Sequence, residues 1–119
     1  MSKGERTEYI QITTTVETKK DASRLAQLLV ESRAAACVQV LGPIESTYRW
    51  RGEVEVSQEW QCLIKTERRL FPEVQNIVNE HHPYDVPELI GVPIVEGSAE
   101  YFRWISLETG RHPGNEGEA

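Results

Sequence analysis

Residues 36–66 read as two long β-strands joined by a tight turn, and this ribbon constrains what else a 119-residue chain can build. Arg51-Gly52-Glu53 marks the turn: glycine reaches positive φ without a Cβ clash, and charges flank it. One arm carries Val38, Val40, Ile44, Thr47, Tyr48 and Trp50; the other carries Val54, Val56, Trp60, Cys62 and Ile64. Such β-branched and aromatic residues in partial alternation suit a half-buried pleated surface. Each arm exceeds the usual strand of about 5–6 residues. Gly42-Pro43 interrupts the first arm and predicts a bulge, because proline cannot donate to a ladder. A ribbon this long outreaches one small domain. Tyr48, Trp50 and Trp60 are therefore expected on bare apolar surface that a second copy of the chain would cover, which predicts a homo-oligomer.

The length allows one domain with one core. With 39% hydrophobic and 27% charged residues, the chain has enough apolar matter to fold and is not of the disordered class. A net charge of −6 argues against a nucleic-acid partner, which rewards basic surfaces. No apolar run approaches the roughly 20 residues of a membrane span, and the first residues have no apolar signal core, so the chain reads as cytoplasmic, with no membrane partner. For a turn at Gly52, Cys37 falls opposite a residue near Thr66, and Cys62 opposite one near Leu41. At about 3.3 Å per residue these thiols stand too far apart to be bridged, and two reduced cysteines are expected.

Residues 1–8 are polar and expected to be flexible. Residues 9–16 have the β-propensity of a strand, and Thr18-Lys19-Lys20-Asp21 has the capping-box spacing with aspartate at its end. Ala22, Leu25, Leu28, Leu29 and Ser32 then predict one helical stripe, carried to about Ala34. After the ribbon, Leu70, Val74, Ile77, Val78 and His81 recur at helical spacing, with Pro72 confined to the first turn. His82-Pro83 ends this helix. Residues 87–95 predict a strand whose prolines place it at an edge or a bulge. Ser98 is the expected N-cap of a last helix, and the Gly-, Pro- and Glu-rich residues 110–119 are expected to be a disordered tail after a single domain over 9–109. The order β-α-β-β-α-β plus a C-terminal helix is the split-βαβ, ferredoxin-like α+β pattern, with both main helices on one face of an antiparallel sheet.

Five blocks now stand in order: Ala35-Ala36-Cys37-Val38; Tyr48-Arg49-Trp50-Arg51-Gly52-Glu53; Ile64-Lys65-Thr66; His82-Pro83-Tyr84-Asp85-Val86-Pro87-Glu88; and Tyr101-Phe102-Arg103-Trp104. Together they resemble the signature blocks of the CutA family, the divalent-cation tolerance proteins, from about Tyr9 to Glu108. The resemblance implies a homotrimer like that of the PII signalling proteins, with ribbons extending into neighbouring subunits. It also implies divalent-metal binding, copper foremost and other divalent cations more weakly, and no general enzyme activity. Gln39 stands where asparagine or threonine is common, and Cys62 lies outside the pattern.

The candidate metal ligands are Cys37, His82 and Glu88. Thiolate selects Cu(I), while imidazole and carboxylate suit Cu(II). Each has a plain structural alternative: Cys37 as a small buried hydrophobe, His82 as a helix-ending residue, Glu88 as a solvated acid in a loop held by Pro83 and Pro87. Adjacent His81 and His82 point about 100° apart and cannot easily chelate one ion, and His81 continues the apolar stripe as a possible core residue. Tyr48, Trp50, Lys65, Tyr84 and Trp104 are candidates for a ligand cleft or an oligomer interface. Lys65 could otherwise pair with Glu88 or Glu53. Phosphate loops, zinc-protease and nucleophile-elbow motifs are missing, and the one further histidine, His112, falls in the tail. The leading expectation is thus a trimeric, non-enzymatic copper-binding protein of divalent-cation tolerance. The alternatives are a PII-like signalling module that binds a small ligand between subunits, and a stable scaffold with incidental metal affinity.

Overall fold

The computed structural model describes residues 8–110. The expectations for the N-terminal segment and for the tail with His112 fall on residues outside those described. The chain runs β1 (Tyr9–Val16), α1 (Lys19–Glu31), β2 (Cys37–Trp50), β3 (Glu53–Glu67), a 3-10 turn (Arg68–Leu70), α2 (Phe71–His81), β4 (Ile90–Pro93) and α3 (Ala99–Glu108). The sheet order is β2-β3-β1-β4, with every pairing antiparallel. This is the ferredoxin-like α+β fold.

Local chemistry sets the element ends. Thr18 caps α1 by accepting from the Asp21 amide, and Ser98 caps α3 by accepting from the Tyr101 amide. α1 stops at Glu31, three residues before the expected end. Arg33 turns the chain with φ 65, and the Ala34 and Ala35 amides both bond back to the Leu29 carbonyl. Pro72 lies in the first turn of α2, where its missing N–H costs nothing. β4 is only four residues long and lies at the sheet edge, much shorter than the 87–95 strand expected. Proline at either flank removes ladder donors there.

One face of the sheet packs against α1 and α2. Ile10, Ile12, Val16, Cys62 and Ile64 from the sheet meet Ala22, Leu25 and Leu29 from α1 and Val74 and Val78 from α2. Burying each large aliphatic side chain contributes about 1.5–3 kcal/mol. α3 covers part of the opposite face: Phe102 stacks on Tyr9 at 4.3 Å, and the Tyr9 hydroxyl shares a 2.7 Å hydrogen bond with Ser106.

The ribbon closes in a two-residue turn in which Arg51 (φ 53) and Gly52 (φ 85) both take positive φ, so Trp50 pairs with Glu53. Between Leu41 and Ile44 the register shifts: Ile44 faces Glu59, but Leu41 faces Gln61. The expected bulge at Gly42-Pro43 is therefore present. It moves the inner pairing by one residue, so Cys37 faces Lys65 and not Thr66, and Cys62 faces Val40 and not Leu41. Both thiols are free. The expectation for Trp60 is also corrected, because on β3 it shares the core-facing side of Cys62 and Ile64 and pairs with Val16. Its indole packs against the core and lies so close to Gly42 that a Cβ there would come within 2.5 Å of the ring.

Among the described residues, Thr14 Oγ1 alone is a buried side-chain polar atom without a hydrogen-bond partner. Thr14→Val removes that hydroxyl at nearly constant shape and is expected to raise stability by about 1 kcal/mol in urea unfolding. A loss of stability would show that the hydroxyl is satisfied in solution.

Candidate functional site

The parity of the strands decides which side chains meet. On β1 the odd residues, and on β3 Glu59, Gln61, Leu63 and Lys65, face away from α1 and α2. Beyond the bulge, Ser46, Tyr48 and Trp50 join that same face by pairing with Ser57, Glu55 and Glu53. The loop after α2 then returns across the end of β1. Between ribbon and loop lies a cleft of about 650 Å³. Its floor is Thr15 and Glu59, its ribbon wall is Ser46, Thr47, Tyr48 and Trp50, and its loop wall is residues 84–88.

Glu59 is the fulcrum of the cleft. It is only 7% exposed, and its carboxylate accepts from the Ser46 hydroxyl at 2.7 Å and the Tyr84 hydroxyl at 2.9 Å. Burial, followed by the hydrogen bond and charge of Glu59, pushes the Tyr84 phenol upward, so it stays protonated and donates. Sequence reasoning missed Glu59, because a glutamate between Gln58 and Trp60 looks like an ordinary solvated charge. The available signal was its position opposite the Gly42-Pro43 interruption.

His82 anchors the loop. It is 9% exposed, and its Nδ1 accepts from the Tyr84 amide at 3.1 Å. The other nitrogen, Nε2, must then carry the proton and donates to the Thr15 carbonyl at 2.7 Å. Burial lowers its pKa, partly offset by the Thr15 bond and by the charges of Glu59 and Asp21. This corrects the expectation for the two histidines: His82 is the buried one, while His81 is half-exposed beside Glu80 at 3.8 Å. α2 ends at His81, and the extended backbone of His82 turns its ring inward.

The other candidates are dispersed. Glu88 lines the cleft with Tyr48, Trp50 and Tyr84. Cys37 is half-buried at the base of β2, where burial and then Cys37 itself raise the pKa of Tyr101 on α3. Lys65 lies outside the cleft and donates to Gln39 Oε1, so its partner within the chain is an amide and neither Glu88 nor Glu53. Trp104 lines a separate hollow with Val30 and Ala36. Among the described residues, no group of three or more His, Cys, Asp or Glu is placed to hold a metal ion. Cys62 is wholly buried, which pushes its thiol up to about 11 and leaves it a packing residue. Among the described residues, no helix is long and apolar enough to cross a membrane.

Fold and cleft together define a ferredoxin-like domain with an acidic, aromatic-walled hollow at the foot of a long ribbon. Residues 10–108 match the family model described as CutA1 divalent ion tolerance protein. The divalent-cation tolerance protein CutA of Thermus thermophilus is 44% identical over 96 residues, covering 81% of this chain and 93% of that protein. The chloroplastic protein CutA of Arabidopsis thaliana is 38% identical over 84% of this chain, which spans only 55% of the plant protein's length. The crystal structure of CutA from Xylella fastidiosa superimposes with a TM-score of 0.83 at 37% identity, covering 86% of this chain and 98% of that one. The chain belongs to the CutA1 divalent ion tolerance family. The family and its Thermus thermophilus member are named for divalent-ion tolerance.

His82 supplies a pH test with a definite sign. The unfolded side chain titrates near the ordinary histidine value of 6.5, and the folded one below it. Below that value the unfolded chain takes up a proton that the native chain refuses. The contribution is fully present above 6.5 and is lost as pH falls from there toward the lowered native value. His82→Gln is expected to flatten this part of the stability profile in urea melts across that window. A variant slope equal to wild type would place the acid sensitivity elsewhere.

Proposed function

We propose that the chain acts as a homotrimer that binds divalent metal, copper foremost and other divalent cations more weakly, in divalent-cation tolerance. On this reading it is not an enzyme, and its compartment is the cytoplasm, where two free thiols suit the reducing conditions. The observation that carries the assembly is the bare ribbon. Val54 and Val56 are 62% and 57% exposed, and Tyr48 and Trp50 are exposed on the other face of the same ribbon, on an arm whose tip no described element covers.

Assembly and metal binding are linked on this reading. Cys37 lies at the base of β2 and Glu88 on the cleft loop, so one ion takes ligands from more than one chain. Thiolate and carboxylate are then the available donors, and His82 joins only by giving up its bond to Thr15 or to Tyr84. The cleft favours a second reading alongside: a signalling module of PII type with a small ligand held between subunits, since concave hollows of roughly 300–1,000 Å³ are the usual ligand sites.

Sedimentation is expected to give a mass three times the 13.6 kDa chain, and Val56→Asp to shift it toward the monomer. Calorimetric titration with Cu(I) under anaerobic reducing conditions, and with Cu(II) in the absence of reductant, is expected to show saturable binding. That binding should weaken by about tenfold or more in Cys37→Ser and in Glu88→Gln, and in the monomeric variant. Unchanged affinity in both ligand variants would refute the ligand choice; full affinity in the monomer would refute the shared site.

A further inference from the structure

We infer that the cleft at the foot of the ribbon is the socket for α3 of the next copy of the chain, with Arg103 entering among the acids, a contact that rests on the trimer reading and closes the ring. α3 and the cleft lie on the same side of the sheet, the one that α1 and α2 leave bare, but at opposite ends of its strands. Phe102 and Ser106 hold α3 over Tyr9 at the start of β1, and Glu67 at the end of β3 accepts from the Ser106 hydroxyl. The cleft floor is Thr15, near the other end of β1 and therefore about 20 Å away. A chain's own α3, tied down in this way, cannot fill its own cleft, whereas that of another copy can.

The two surfaces are complementary in charge. The cleft lining carries Glu59, Asp85 and Glu88 and no lysine or arginine. Of the arginines around α3, Arg33 meets Glu108 and Arg69 is held by Glu67. Arg103 is exposed and has no ion-pair or hydrogen-bond partner among the described residues. Opposite charges across an interface choose the partner and fix the register. The acid on this helix that Arg33 leaves, Glu100, lies in the first turn at the positive end of the helix dipole. Apolar surface agrees with charge. Tyr101, Trp104 and Leu107 are exposed on the outward stripe of α3, and Tyr48 and Trp50 on the ribbon wall. Tyrosine, tryptophan and arginine are the side chains that most often dominate the energy of a protein interface.

Such a contact joins two different patches, so it is heterologous, and repeated by rotation it closes a ring and not a two-fold dimer. It also carries Cys37, which hydrogen-bonds Tyr101, toward the cleft loop of the next copy, where Glu88 lies. The two-chain ligand set of the metal reading thereby gains a route to assembly.

A heterologous ring has a signature in mixtures. Trp50→Lys spoils the cleft and Trp104→Glu spoils the α3 face; both side chains are exposed, at 40% and 38%, so neither change enters the core. Each variant alone is expected to sediment below the trimer mass. Their equimolar mixture is expected to give pairs of twice the 13.6 kDa chain, because one intact cleft then meets one intact α3. Arg103→Ala is expected to raise the concentration at which the trimer dissociates by about tenfold, whereas Lys20→Ala, exposed on α1 across the sheet, leaves it unchanged. A mixture that stays monomeric, or a trimer as robust in Trp104→Glu and Arg103→Ala as in wild type, would overturn the inference and leave the trimer reading standing. A wild-type mass other than three chains would overturn both.

Discussion

The one-residue insertion at Gly42-Pro43 is the constraint on which the site depends. Side chains alternate along a strand, so an extra residue flips every later one to the other face. Inside the bulge, Cys37, Gln39 and Leu41 face away from the helices; beyond it, Ile44, Ser46, Tyr48 and Trp50 do. Without the insertion, Ser46 could not reach Glu59 and the aromatic wall would face the opposite way. The insertion is held in turn by packing, with the Trp60 indole pressed against Gly42 and a lysine, Lys19, 5.8 Å from the ring centroid. A glycine at this position is thus a packing requirement.

The cleft is therefore built from two parts of the chain that have little else in common. The ribbon wall is rigid sheet, whereas the loop wall has no regular structure and relies on side chains. His82 ties its start to the Thr15 carbonyl, and Tyr84 ties its middle to Glu59. Charge-assisted hydrogen bonds such as the second are roughly twice as strong as neutral ones, and burial strengthens them further. The aromatic pair His82 and Tyr84, with ring centroids 4.8 Å apart, fills the space between the two ties. A buried glutamate thus organises both walls at once.

Most of the fold was legible from residues because its determinants are local. The caps Thr18 and Ser98, the turn at Arg51-Gly52 and the proline position in α2 each rest on chemistry within a few neighbours. The site was less legible because it depends on register. One shifted pair changes which β2 residues share a face with Glu59, while Trp60, expected on bare surface, packs against the core on the same side of β3 as Cys62 and Ile64. Tyr48, Trp50, Tyr84 and Glu88 were picked out for their residue types and do converge, but Glu59, which holds them, carries no local mark. His81 and His82 were exchanged in role because helical periodicity says nothing about the first residue beyond the helix.

The shortness of β4 has a consequence for how the chain behaves in a crowded solution. An edge strand is a template for unwanted pairing, and this one carries exposed Ile90 and Val92. Four residues offer few free ladder groups, and Pro93 withholds one more donor. The sheet is thereby blunted on the side that has no ribbon. Any association by strand addition is steered away from β4, and the molecule keeps an apolar edge without inviting the open-ended stacking that leads to fibres.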